Sequence, residues 1–146
     1  MRVAIIAVGK VKQPGLRAEL DEYLKRIRRY CRCEEVELKD GSEADVTERF
    51  CKALGTRARS VALMAEGDAW NTERFARFLG GCENDAVGTL AWLIGGPFGL
   101  PKQVSESAQV RLSLSPLTLP HRLVRLVLAE QIYRGFTILR GEPYSH

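Results

Sequence analysis

Between Leu93 and Arg134 two apolar strands run straight into loops that ordinary secondary structure cannot accommodate, and the second loop feeds a long helix. The first strand, Thr89–Ile94, leads into Gly95-Gly96-Pro97-Phe98-Gly99. The second, Val110–Leu114, leads into Ser115-Pro116-Leu117-Thr118-Leu119-Pro120. Ligands of α/β sheets sit outside the carboxyl ends of strands, so two such loops close together in sequence predict a binding site. Glycines permit positive φ and close approach of a ligand to the backbone. The glycine loop fits neither the dinucleotide fingerprint nor a P-loop, which argues against a pyrophosphate cradle. A tight strand-to-helix turn and a ligand loop fit it equally. In the second loop two prolines exclude helix and interior strand. Its free amides and carbonyls on an apolar floor suit a flat, polar-edged group such as adenine; a buried connector is the alternative.

The rest of the chain alternates strand and helix, which predicts one α/β domain over residues 1–146, three-layered, with a mainly parallel sheet. Val3–Val8 is a continuous apolar run of the kind buried on both faces. Pro14 opens a helix whose Leu16, Leu20, Tyr23, Leu24, Ile27 and Tyr30 share one face. Val36 and Leu38 alternate with Glu35 and Glu37, which predicts a strand with one solvent-facing side. Ser60–Ala65 is a further strand. Asn71 caps a helix that Gly80-Gly81 is expected to end. Pro120 opens the last helix, which runs to about Leu139.

That last helix is apolar over more than one stripe, which predicts a subunit interface. Its Glu130 and Arg134 stand four apart and can pair; alternatively an arginine reaches substrate across a dimer. His121, at the start of the helix, is an orienting group or a base. The tail, with Tyr144 and His146, can close over a neighbouring pocket. The net charge of +4 favours an anionic partner only modestly. Cys31, Cys33, Cys51 and Cys82 lack convergent zinc-ligand spacing and read as reduced thiols. No metal, no membrane span and no secretory leader are expected, which fits a cytoplasmic protein.

The ordered set A-I-I-A-V-G-K, L-I-G-G-P-F-G-L, S-L-S-P-L-T-L-P-H and L-A-E-Q-I-Y-R closely resembles the ribosomal RNA large-subunit methyltransferase H family, of the SPOUT class, over essentially the whole chain. The resemblance implies a C-terminal trefoil knot and a homodimer joined through the last helix. It implies S-adenosylmethionine bound by Leu63, Gly95, Gly96, Ser115, Pro116, Leu117, Thr118, Leu119 and Pro120. The implied reaction is methylation of N3 of a pseudouridine in 23S rRNA on the assembled ribosome. The family tail is Pro-Tyr-His followed by a basic residue; here Ser145 separates Tyr144 from His146.

The N3–H of pseudouridine is a weak acid, so the reaction needs a base or stabilisation of the resulting anion. The candidates are Tyr144 and His146, with Arg125 or Arg134 stabilising negative charge and His121 in reserve. The basic run Lys25, Arg26, Arg28, Arg29 and Arg32 is expected to meet RNA phosphates. A SPOUT enzyme acting on tRNA is an alternative. So is a non-catalytic ribosome-associated protein, favoured by the altered tail.

Overall fold

A computed structural model of the chain describes residues 1–144. Five strands form one parallel sheet: β1 (Arg2–Val8), β2 (Arg32–Leu38), β3 (Arg59–Ala69), β4 (Thr89–Ile94) and β5 (Val110–Ser113), in the order β2-β1-β4-β3-β5. The helices are α1 (Pro14–Ile27), α2 (Glu43–Leu54), α3 (Thr72–Asn84), α4 (Lys102–Ser107) and α5 (His121–Leu139).

Strand side chains alternate between the two faces. Val3, Ile5 and Ala7 of β1 and Leu90, Trp92 and Ile94 of β4 pack with Leu20, Leu24 and Ile27 of α1, Phe75 and Leu79 of α3, and Leu128, Ile132 and Phe136 of α5. Ala4, Ile6, Val8, Ala91 and Leu93 point the other way, onto Val46 and Phe50 of α2 and Val104 of α4. Helices α1, α3 and α5 therefore form one layer and α2 with α4 the other. Both faces of β1 and β4 are covered, which is why their sequences are apolar without alternation. Trp92 is fully buried and stacks on Phe75, with centroids 5.1 Å apart. Ser42 and Asn71 cap α2 and α3 by accepting from the amides of Asp45 and Arg74.

Three local expectations need correction. Gly80 and Gly81 lie inside α3, which continues to Asn84 and ends against Ala86 at φ 55°. A Cβ on Gly80 would stand 2.9 Å from Leu139, and one on Gly135 would stand 3.1 Å from Leu79. These glycines let α3 and α5 approach closely. The Glu35/Glu37 side of β2 does not face solvent. It lies under α1 and α5, where Arg17 and Arg125 meet the two carboxylates. Strand β3 runs beyond Ala65 to Ala69, with its register against β5 shifting between Leu63 and Asp68. Gly67 makes this possible, since a Cβ there would sit 2.7 Å from the backbone of Leu112. No helix among the described residues is long and apolar enough to cross a membrane.

Candidate functional site

The carboxyl ends of β3, β4 and β5 open onto one cavity of about 220 Å³. Three segments line it: Leu63–Ala65 after β3, the glycine loop after β4, and Leu114 with Ser115, Leu117, Thr118 and Leu119 after β5. His121 and Val124, from the first turn of α5, close one side. Leu63, Gly95, Gly96, Ser115, Leu117, Thr118 and Leu119 are thus brought together; Pro116 and Pro120 shape the loop without lining the cavity. Pro120 instead occupies the N-cap position of α5.

The glycine loop is a closed turn. Gly96 and Gly99 bridge each other, and the Gly99 amide donates to the Gly96 carbonyl at 3.0 Å. Gly99 takes φ 79°, which favours glycine. A Cβ on Gly95 would lie 2.3 Å from the Gly99 carbonyl carbon, so only glycine fits where the turn crosses itself. A Cβ on Gly96 would meet Val8 at 3.1 Å, so a side chain there crowds β1 first.

The second loop has little internal bonding. Ser115 Oγ accepts from the Leu117 amide at 3.0 Å, and the Ser113 hydroxyl donates to the Ser115 carbonyl at 3.0 Å. The amides of Thr118 and Leu119 have no partner among the described residues. Loop amides without partners beside an apolar cavity are donors waiting for an acceptor. Leu117 is 72% exposed and Phe98, at the tip of the glycine loop, 98%.

Arg125 takes a different place from the one expected of it. It is 0% exposed. Its Nη1 donates to Glu35 at 2.8 Å and to Glu37 at 2.5 Å, and its Nη2 to the Gly9 carbonyl at 3.1 Å. Arg17 donates to the other Glu35 oxygen at 2.6 Å. The two arginines and two glutamates balance in charge and clamp α1, β2, α5 and the β1–α1 loop together. Arg125 is therefore buried in this clamp and does not line the cavity. The β2 sequence carries no local signal of this clamp, since Glu35 and Glu37 alternate as a solvent-facing side would.

Arg134, Tyr144 and Glu130 gather at the far half of α5. Arg134 pairs with Glu130 at 3.0 Å and lies over the Tyr144 ring, 4.9 Å from its centroid. The Tyr144 hydroxyl donates to Glu130 at 3.1 Å, and its ring meets Tyr133 edge-on at 4.6 Å. Burial first, then hydrogen bonding to Tyr23, pushes the Tyr144 hydroxyl well above the ordinary phenol range. In this arrangement the hydroxyl is a donor to Glu130. Glu130, which holds the Tyr144 hydroxyl, is six helical positions, about 9 Å, beyond the cavity-lining Val124, and no residue of this cluster lines the cavity. His146 lies outside the described residues.

The basic run is also remote. Lys25 and Arg26 end α1, Arg28 and Arg29 follow it, and Arg32, which begins β2, pairs in register with Arg2. This is the amino edge of the sheet, about 20 Å from the carboxyl edge along β1. Part of the run serves local structure: Arg26 pairs with Glu22 at 3.1 Å, and Arg28 Nε donates to the Cys33 carbonyl at 2.9 Å.

Residues 1–146 match the family model described as Predicted SPOUT methyltransferase. The chain is 50% identical over 146 residues to the "Ribosomal RNA large subunit methyltransferase H" of Sorangium cellulosum, covering all of both chains. It is 38% identical to the protein of the same name from Clostridium kluyveri, covering 99% of each. Its fold matches the crystal structure of a probable methyltransferase from Bordetella pertussis Tohama I, with a TM-score of 0.61 at 17% identity, over 92% of this chain and 93% of that one. A parallel sheet with a loop-lined cavity at its carboxyl edge and full-length identity to these relatives lead to one conclusion: this chain belongs to the SPOUT methyltransferases, among the large-subunit ribosomal RNA methyltransferase H proteins.

Proposed function

We propose that the protein methylates N3 of a pseudouridine in 23S rRNA of the assembled ribosome, in the cytoplasm, using S-adenosylmethionine. One observation carries the reading: three segments distant in sequence, Leu63–Ala65, Ile94–Gly99 and Leu114–Leu119, converge on one apolar cavity. The residues present suit the cofactor. Unpartnered amides at Thr118 and Leu119 match the acceptor nitrogens of an adenine, and the apolar walls from Leu63, Ile94 and Leu117 match its faces. When bound, the cofactor supplies an electrophilic methyl group on a sulfonium.

What the chain itself must do is hold the acceptor base at the cavity opening and take its N3 proton. His121 lines the cavity, and an imidazole nitrogen there can accept a proton. The tail is the other candidate, through His146. The Tyr144 cluster does not line the cavity of its own chain, which favours the tail acting across a homodimer joined through α5. Leu123 and Val127, both half-exposed on α5, support that interface. The threaded C-terminal knot implied by the family belongs to the same reading.

Isothermal calorimetry with S-adenosylmethionine, followed by nucleoside mapping of 23S rRNA from cells with and without the protein, tests the proposal. Binding together with loss of methylpseudouridine in the deletion supports it. Loss of a methylated tRNA nucleoside instead would redirect it to tRNA.

A further inference from the structure

Three exposed cations and one exposed aromatic ring stand on the segments that leave the carboxyl edge of the sheet or begin α5, outside the cavity lining, and the mechanism uses none of them. The β1–α1 loop is anchored at two points. The Gly9 carbonyl accepts from Arg125 at 3.1 Å, and the Val11 amide donates to Glu37 at 3.2 Å. Lys10 and Lys12, on either side of Val11, are left at the surface. Arg122 is exposed in the first turn of α5, next in sequence to the cavity-lining His121. Val8, immediately before this loop, abuts Gly96 of the glycine turn. Phe98 stands at the tip of that turn.

Among the described residues no carboxylate pairs with Lys10, Lys12 or Arg122. The nearest acids in the clamp, Glu35 and Glu37, are already taken by Arg17 and Arg125, so they do not neutralise the loop. Aromatic faces beside cations that track a backbone are the means by which proteins hold unpaired RNA. The glycine turn is closed by its own hydrogen bond, so the Phe98 ring is presented on a preformed support.

We propose that the mouth formed by Lys10, Lys12, Phe98 and Arg122 docks an unpaired stretch of RNA. The Phe98 ring stacks on a base beside the one being modified, and the three cations hold backbone phosphates. This rests on the RNA-substrate reading above, and it places the substrate grip here instead of at Lys25–Arg32.

The test compares wild type with F98A, with K10A/K12A/R122A, and with K25A/R29A/R32A, which removes the same charge from the opposite edge. Methyl transfer to ribosomes from cells lacking the activity gives KM and kcat, and calorimetry gives S-adenosylmethionine affinity. F98A and the mouth triple variant are expected to raise KM about tenfold or more, with kcat within about threefold and cofactor affinity unchanged. F98W restores KM because any aromatic face can stack. The salt dependence of binding falls by roughly 0.7 per cation removed, about 2 in all. The opposite-edge triple variant changes KM less than about twofold.

A KM within about twofold of wild type for both mouth variants would overturn the proposal. So would an equal loss in the opposite-edge variant, or loss of cofactor binding in F98A, which would assign the ring to the cofactor cavity. Anisotropy with a short single-stranded RNA reads the same surface without turnover. If wild type transfers no methyl group, the parent reading fails, and the affinity ranking of the variants still decides this one.

Discussion

At the carboxyl edge of the sheet the chain leaves its strands into loops with unpartnered amides, a self-crossing glycine turn and exposed Phe98 and Leu117. At the amino edge, two connections close on themselves. The Tyr30 amide donates to Ile27, the Val87 amide to Cys82, and the Arg2 amide to Gly88, all within 3.0 Å. The contrast is that the unpartnered amides of Thr118 and Leu119 stand at a cavity, whereas these amino-edge turns do not line it. Charge alone would have ranked the edges the other way, because the longest basic run lies at the amino edge. Cations there serve partly to fasten α1, whereas those near the cavity are free of carboxylates.

The largest expected contrast is between buried and surface arginines. Arg125→Met leaves Glu35 and Glu37 short of a buried partner and should cost about 3–5 kcal/mol in denaturant unfolding. Arg28→Met, at the amino edge, loses one part-buried hydrogen bond and should cost about 1 kcal/mol. Equal losses would mean that the clamp is not a unit.

Glycines sharpen the same comparison. Gly95→Ala forces a Cβ into the backbone of Gly99 and Leu100 and should cost about 1–3 kcal/mol. Calorimetry should show cofactor binding abolished with it. Gly88→Ala, with nothing within 4 Å, should stay within about 0.5 kcal/mol of wild type and bind cofactor normally. Cofactor binding by Gly95→Ala at wild-type strength would show that the turn does not shape the cavity.

The smallest effect is one of pH. Burial, then hydrogen bonding to Glu142, pushes the Tyr30 hydroxyl up to about 12, and burial pushes the Cys33 thiol up to about 12. Both folded values lie above the ordinary ones, so the folded state holds these protons more tightly. The stability they contribute is complete below about pH 9 and is lost as pH rises from there through about 12. Unfolding free energies at about pH 8 and about pH 11 should therefore differ, and Tyr30→Phe with Cys33→Ala should flatten the difference. A wild-type profile without that fall would contradict the burial of Cys33 and the Tyr30–Glu142 hydrogen bond.

The positions of the strands and of the two cavity loops were legible because apolar runs ending in glycine or proline are local signals. The loop after β5 could be read as irregular from its prolines, and as a candidate binding segment from its place at the carboxyl end of a strand. Other features depended on tertiary partners. Glu35 and Glu37 read as solvent-facing because alternation cannot show that Arg17 and Arg125 arrive from other elements. Gly80 read as a helix terminator because helix–helix approach leaves no mark within the helix itself. Arg125 read as a substrate contact because sequence shows its charge and not its burial. The family resemblance supplied the cofactor and the substrate, which neither periodicity nor composition carries.

The most direct measurement is transfer of labelled methyl from S-adenosylmethionine to ribosomes from cells lacking this protein. The account predicts label at N3 of a pseudouridine in 23S rRNA, lost in Gly95→Ala. Absence of transfer by wild type, or label confined to tRNA, would contradict it.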